Sequence, residues 1–180
     1  MILTLLLVAS IAGLALGGVY VFTKEPIAKA KRAKLNNALS QVLPEFDTTK
    51  THQVTPADGQ EPLTFYVAYK GDERVGTAVE TYTNKGYSGK IEIMVGFSSD
   101  MTILNTAVLK HAETPGLGDK MTKAKSDWSN QFKGKNPENF QLSVTKDGGD
   151  VDAITAATIS SRAFCDAVER AYKTYKKGGE

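Results

Sequence analysis

Apolar and polar residues fall into three patterns along this chain. From Met1 to Phe22 no side chain carries charge, and Leu, Ile, Val, Ala and Gly continue for longer than the roughly 20 residues a bilayer span needs. This predicts a retained membrane helix, because a cleaved leader would have a basic segment first and a shorter apolar run. Pro26 to Phe46 reads as a second helical stretch, with Ile27, Ala28, Leu35, Ala38, Leu39, Val42 and Leu43 on one side and basic residues on the other. Its default role is to pack on its own domain. Asp47 to Glu61 is rich in Thr, Gln, Asp and Gly, which predicts a polar connector with a solvated His52.

Period-two alternation follows. Leu63, Phe65, Val67 and Tyr69 alternate with Thr64, Tyr66 and Ala68, and Arg74 to Thr83 continues as a second strand after the Gly71-Asp72-Glu73 turn. Ile91, Ile93, Val95 and Phe97 make a third strand after the Asn84 to Gly89 turn, and Ile103 to Lys110 a fourth. Such short connections imply antiparallel pairing. A helix is expected over Asp119 to Phe132. Another runs from Ile159, where Ala163, Phe164, Ala167, Val168, Ala171, Tyr172 and Tyr175 recur at helical spacing. The predicted class is α+β: a membrane helix at 1–23, a helical and polar connector at 24–61, and at 62–180 one domain whose antiparallel sheet is flanked by helices.

Composition removes several functions. A net charge of +2 with no basic patch among aromatics argues against nucleic-acid binding. The single cysteine, Cys165, excludes an internal disulfide and an iron–sulfur site, and its place in the last helix predicts a small buried apolar role. No strand leads into Gly-x-Gly-x-x-Gly, so a dinucleotide site of that type is excluded too. Lys24, Lys29, Lys31, Arg32 and Lys34 follow the apolar run, and by charge bias alone they would keep the domain in the cytoplasm.

Candidate chemistry sits in two stretches. Asp150 to Ser161 places Thr155, Thr158, Ser160 and Ser161 at the start of the last helix, where unpaired N–H groups and the positive dipole end suit an anion. Taken alone, those hydroxyls read as ordinary caps. His111 to Lys120 (His-Ala-Glu-Thr-Pro-Gly-Leu-Gly-Asp-Lys) links the fourth strand to the next helix. Pro115 and Gly116 set a turn there, Gly116 and Gly118 allow a flat ligand close to the backbone, and Asp119 is placed to cap. A lone His111 at a strand end is more often structural than a proton donor.

Thr155-Ala-Ala-Thr158 after Asp152 resembles the segment of FMN-binding domains in redox-driven ion pumps, with Ala156 where that family usually has Gly. Glu113-Thr-Pro-Gly-Leu-Gly118 and Gly86-Tyr-Ser-Gly-Lys-Ile91 are similar to its other two runs. Over its whole length, anchor included, the chain resembles the G subunit of Rnf electron transport complexes. It is similar also to the C subunit of the sodium-pumping NADH:quinone reductase, whose chain is typically longer.

The resemblance implies FMN held covalently through a phosphoester at Thr158. Glu113, Thr114, Gly116, Leu117 and Gly118 would form one wall, with Thr155, Ala156, Ala157 and Ile159 lining the phosphate and ring. Lys120 would balance the phosphate or a reduced, anionic flavin, and Asp152 would be read by a separate flavin transferase or act as a local cap. It further implies an electron carrier that is not catalytic alone, working among the membrane and redox subunits of a complex that couples ferredoxin and NAD to ion movement. The domain would lie on the outer face of the bacterial inner membrane. A flavin-free, membrane-tethered binding or structural module is the alternative.

Overall fold

The computed structural model describes residues 1–178. Helix α1 (Ile2–Val42) is followed by β1 (Thr48–Val54), β2 (Leu63–Lys70), β3 (Glu73–Gly86), β4 (Gly89–Phe97), β5 (Ile103–Lys110) and α2 (Thr158–Gly178). Three 3₁₀ turns, at Gly118–Met121, Trp128–Phe132 and Thr145–Asp147, lie between β5 and α2. Two compact units result, Met1–Asn36 and a second that begins at Asn37.

The first unit is helix alone. Among the described residues α1 is the one helix long and apolar enough to cross a membrane. Leu5, Leu6, Ile11, Leu14 and Leu16 are all exposed. A core helix would bury such a face, whereas hydrocarbon accepts it without cost. The helix does not restart at Pro26, which lies inside it. Ile27 and Ala28 stay exposed, so only the last turn of the predicted amphipathic face is used for packing.

In the second unit the sheet order is β1-β2-β3-β4-β5, every strand antiparallel to its neighbour in sequence. Alternation decides its faces. Phe65, Val79, Ile93, Val95 and Phe97 point toward α2, whose Ala163, Phe164, Ala167, Val168 and Ala171 pack against them in one core. Tyr175 stacks on Phe97 with centroids 5.4 Å apart. Thr81 Oγ1 donates to the Ala167 carbonyl at 3.2 Å, and Thr83 Oγ1 to Asp166 Oδ2 at 2.7 Å, which holds α2 along β3. On the opposite face Gly96 alternates with Val95 and Phe97. A Cβ there would sit 2.0 Å from the Val42 carbonyl oxygen, so the end of α1 lies directly on the back of the sheet, with Leu39, Val42 and Leu43 buried.

Three expectations are corrected. The connector contains an edge strand, β1, paired to β2 from Thr48↔Tyr69 to Val54↔Leu63. Its polar composition hides it, although Thr favours the pleated surface. His52 is not simply solvated: it stacks on Phe65 at 5.3 Å with its Nε2 buried. The helix over Asp119 to Phe132 is replaced by two short 3₁₀ turns. Ser126 Oγ donates to the Lys120 carbonyl at 2.7 Å and accepts the Trp128 N–H at 3.2 Å, so a hydroxyl takes backbone groups that a helix would have paired.

Candidate cofactor site

Three segments converge at one end of the sheet. The first is the β3–β4 turn, where Gly86 pairs with Gly89 and Tyr87 and Ser88 form the tip. Tyr87 is 69% exposed, although its ring is large and apolar. The second is the loop after β5. His111 Nδ1 accepts the Glu113 N–H at 3.2 Å, the Thr114 carbonyl accepts the Leu117 N–H at 3.2 Å, and Gly116 turns the chain at φ +78°. Gly118 is required by contact: a Cβ there would lie 2.5 Å from Ser160 Oγ and 2.8 Å from Glu113 Cβ. His111 thus orients the loop backbone, and Asp119 is buried inside a 3₁₀ turn and provides no cap.

The third segment is the start of α2. Trp128 Nε1 donates to the Asp152 carbonyl at 2.6 Å, and Gln131 Oε1 accepts the Asp152 N–H at 2.8 Å, so the backbone is pinned while the residue itself stays exposed. The Ala157 N–H closes a turn on the Ile154 carbonyl at 2.9 Å, and Ala156 takes φ +60°. This left-handed position suits Gly far better than Ala. Ser161 Oγ accepts the Ile154 N–H at 2.9 Å and donates to the Ala157 carbonyl at 3.0 Å, which ties the turn to the helix.

Between the segments lies a cavity of about 550 Å³, lined by Tyr87, by Glu113, Thr114, Leu117 and Gly118, and by Ala156 through Ser160. Of the residues singled out from sequence, Glu113, Thr114, Leu117, Gly118, Ala156, Ala157, Thr158 and Ile159 face it. Gly116, Lys120 and Thr155 are exposed and lie outside the lining. Tyr87 and Ser160 also line the cavity, although the sequence pointed to Tyr87 only as part of a turn motif and to Ser160 only as one of the helix-start hydroxyls. Tyr87 belongs to a glycine-bearing turn, and its signal is an aromatic side chain with no place in the strand alternation.

The four hydroxyls have different fates. Ser160 donates to Glu113 Oε2 and Ser161 serves the Ile154–Ala157 turn, both buried, while Thr155 is exposed and Thr158 is half-buried at the cavity. A flat aromatic ligand carrying a phosphate fits these walls. The volume lies within the roughly 300–1,000 Å³ of small-molecule sites. Leu117 and Ile159 offer apolar surface, respectively 38% and 48% exposed, and the first turn of α2 offers N–H groups to an anion. Among the described residues no cluster of His, Cys, Asp or Glu suits a metal ion.

The fold and this cavity define a class of protein: an α+β domain behind a helix apolar enough to cross a membrane, with a cavity of small-molecule size at the start of its last helix. The sequence profile of the FMN-binding domain matches residues 86–173, which contain all three lining segments, and that of the RnfG N-terminal region matches residues 3–42. A Vibrio atlanticus protein, named as the G subunit of the ion-translocating oxidoreductase complex, is 37% identical over 162 residues, 84% of this chain and 78% of its own. Its namesake in Shewanella oneidensis is 38% identical over 180 residues, 92% of this chain and 85% of its own. That of Erwinia tasmaniensis reaches 47% over 119 residues, 64% and 57% respectively. The chain belongs to the family of G subunits of ion-translocating oxidoreductase complexes.

Proposed function

We propose that this chain is an electron-transfer subunit of a membrane-bound ion-translocating oxidoreductase complex, and that it carries FMN in the cavity, joined to Thr158 through a phosphoester bond. The supporting observation is the sorting of hydroxyls at the start of α2. Ser160 and Ser161 are engaged in internal bonds and Thr155 lies outside the lining, which leaves Thr158 facing the cavity.

FMN, when bound, supplies one- and two-electron chemistry that this chain's side chains lack. The protein's own contribution is placement. The first-turn N–H groups and dipole of α2 favour a phosphate by about 0.3–1 kcal/mol. Leu117 and Ile159 would offer a planar ring apolar surface, and Tyr87 would add an aromatic side chain from the lining. A Thr hydroxyl is a weak nucleophile unless a base activates it. Formation of the Oγ1–P bond, in which the threonine oxygen loses its proton and displaces the leaving phosphate of a flavin nucleotide phosphoanhydride as the P–O–P link breaks, leaves the chain heavier by FMN less one water and is assigned to a separate transferase. Asp152, exposed on a pinned backbone six residues before Thr158, is the element that such an enzyme would read.

The domain is placed on the outer face of the inner membrane, against the charge bias of Lys24 to Lys34. Protease access to sealed inverted vesicles tests this: the domain should be protected. The chemistry is tested on a denaturing gel. Protein made together with the transferase should show flavin fluorescence that survives denaturation and is absent from Thr158→Ala, and intact mass should show one FMN less one water. A colourless, unmodified parent chain would refute the proposal.

A further inference from the structure

Beneath the cavity, all three lining segments meet at one side chain. Glu113 is only 4% exposed. Its Oε1 accepts the Ser88 N–H at 2.8 Å, and its Oε2 accepts the Ser160 hydroxyl. Glycines leave it room on two sides: an added Cβ would come within 2.9 Å of Oε1 from Gly86 and 2.8 Å of Oε2 from Gly118. A buried carboxyl is costly unless its oxygens are used. These oxygens are used by the β3–β4 turn and by the first turn of α2, while the Glu113 backbone belongs to the loop between them.

The family resemblance implies a wall residue, and Glu113 does line the cavity, but its carboxylate hydrogen bonds give it a further task. We infer that Glu113 is the positioning residue of the cavity: it sets the separation between the Tyr87 turn and the helix start bearing Thr158, and it acts on the cofactor through those segments. Three features that are unrelated in sequence then share one cause. Gly86 and Gly118 make space for the carboxyl, and Ser160 is the helix residue that reaches it. The effect on the cofactor rests on the proposed FMN reading, whereas the tie between segments does not.

The full chain in detergent, flavin-free and flavin-loaded, provides the test. In Glu113→Ala the Ser88 amide should exchange with solvent at least tenfold faster, and the amides of residues 156–160 should also accelerate. Glu113→Gln keeps an acceptor for Ser88 and gains a donor for Ser160 Oγ, so its exchange should stay within threefold of the parent. Ser160→Ala, which leaves the core carboxyl in place, should loosen the helix start while Ser88 stays protected.

In loaded protein, Glu113→Ala should lose at least half of the flavin's visible circular dichroism, and Glu113→Gln should restore it. Unchanged exchange in Glu113→Ala would overturn the tie. Raised exchange with unchanged flavin dichroism would overturn the positioning role. A parent chain that takes up no flavin would refute the FMN reading and leave exchange to decide the tie.

Discussion

Gly118 is where a single methyl group should do most harm. Its Cβ in Gly118→Ala would lie 2.5 Å from Ser160 Oγ and 2.8 Å from both Glu113 Cβ and Oε2. None of these atoms is the free end of a flexible chain, because Glu113 and Ser160 are buried and bonded to each other. Overpacking of this kind costs about 1–3 kcal/mol. Relief requires Glu113 and Ser160 to part, which forfeits about 1 kcal/mol more. The sum, about 2–4 kcal/mol, corresponds in a domain of this size to roughly 6–12 °C in melting temperature at about 3 °C per kcal/mol.

Gly116→Ala is the control. Gly116 has nothing within 4 Å but sits at φ +78°, so only backbone strain of about 1 kcal/mol applies there. Thermal unfolding of the detergent-solubilised chain, followed by far-ultraviolet circular dichroism, compares the two. Covalent flavin yield in Gly118→Ala should fall in parallel, since the loop and helix walls are forced apart. A Gly118→Ala protein that melts within about 2 °C of the parent, or above Gly116→Ala, would refute the packing argument.

Ala156, at φ +60°, should accept Gly with a gain of up to about 1 kcal/mol, while Val should cost about 1–2 kcal/mol; chemical denaturation reads both. Equal stability of Ala156→Val and the parent would show that the left-handed turn is not kept in solution. Tyr87→Ala removes an exposed ring, so stability should change by less than about 0.5 kcal/mol. Flavin emission in the loaded protein should rise, because an adjacent phenol quenches it; unchanged emission would place the ring away from the flavin. Burial pushes the Cys165 thiol up from 9.0 to about 12. Folding therefore favours the neutral form, and this contribution is complete below the unfolded value and lost as pH rises toward 12. Alkylation by iodoacetamide at pH 8 should be negligible until the chain unfolds, and rapid labelling of native protein would contradict that burial.

Much of the fold was written in simple periodicities. Leu63 to Tyr69 and Ile91 to Phe97 alternate cleanly because one face meets α2. The regularly spaced apolar residues of the last helix are visible for the same reason. β1 escaped because an edge strand buries little and so needs few apolar residues. The stretch from Asp119 to Phe132 misled because Met121, Trp128 and Phe132 keep helical spacing even though the Ser126 hydroxyl breaks the backbone pattern. At the site, the glycine-bearing loop and the Thr-rich turn stood out as motifs. What could not be read was their junction: a buried hydrogen bond between residues 47 positions apart leaves no periodic trace. The place of Ala156 was legible only as a departure from Gly, and its positive φ explains why Gly is the easier residue there.

Each strand of the sheet pairs with the one synthesised just before it, so the meander can assemble as it emerges, by short loop closures. The threonine, however, arrives with α2. Until that helix docks there is a sheet but no pocket, and on the proposed reading an enzyme that joins FMN to Thr158 would act only on chains folded through α2. The cavity is in this way completed last by topology, and a chain that stops before α2 lacks one of its walls.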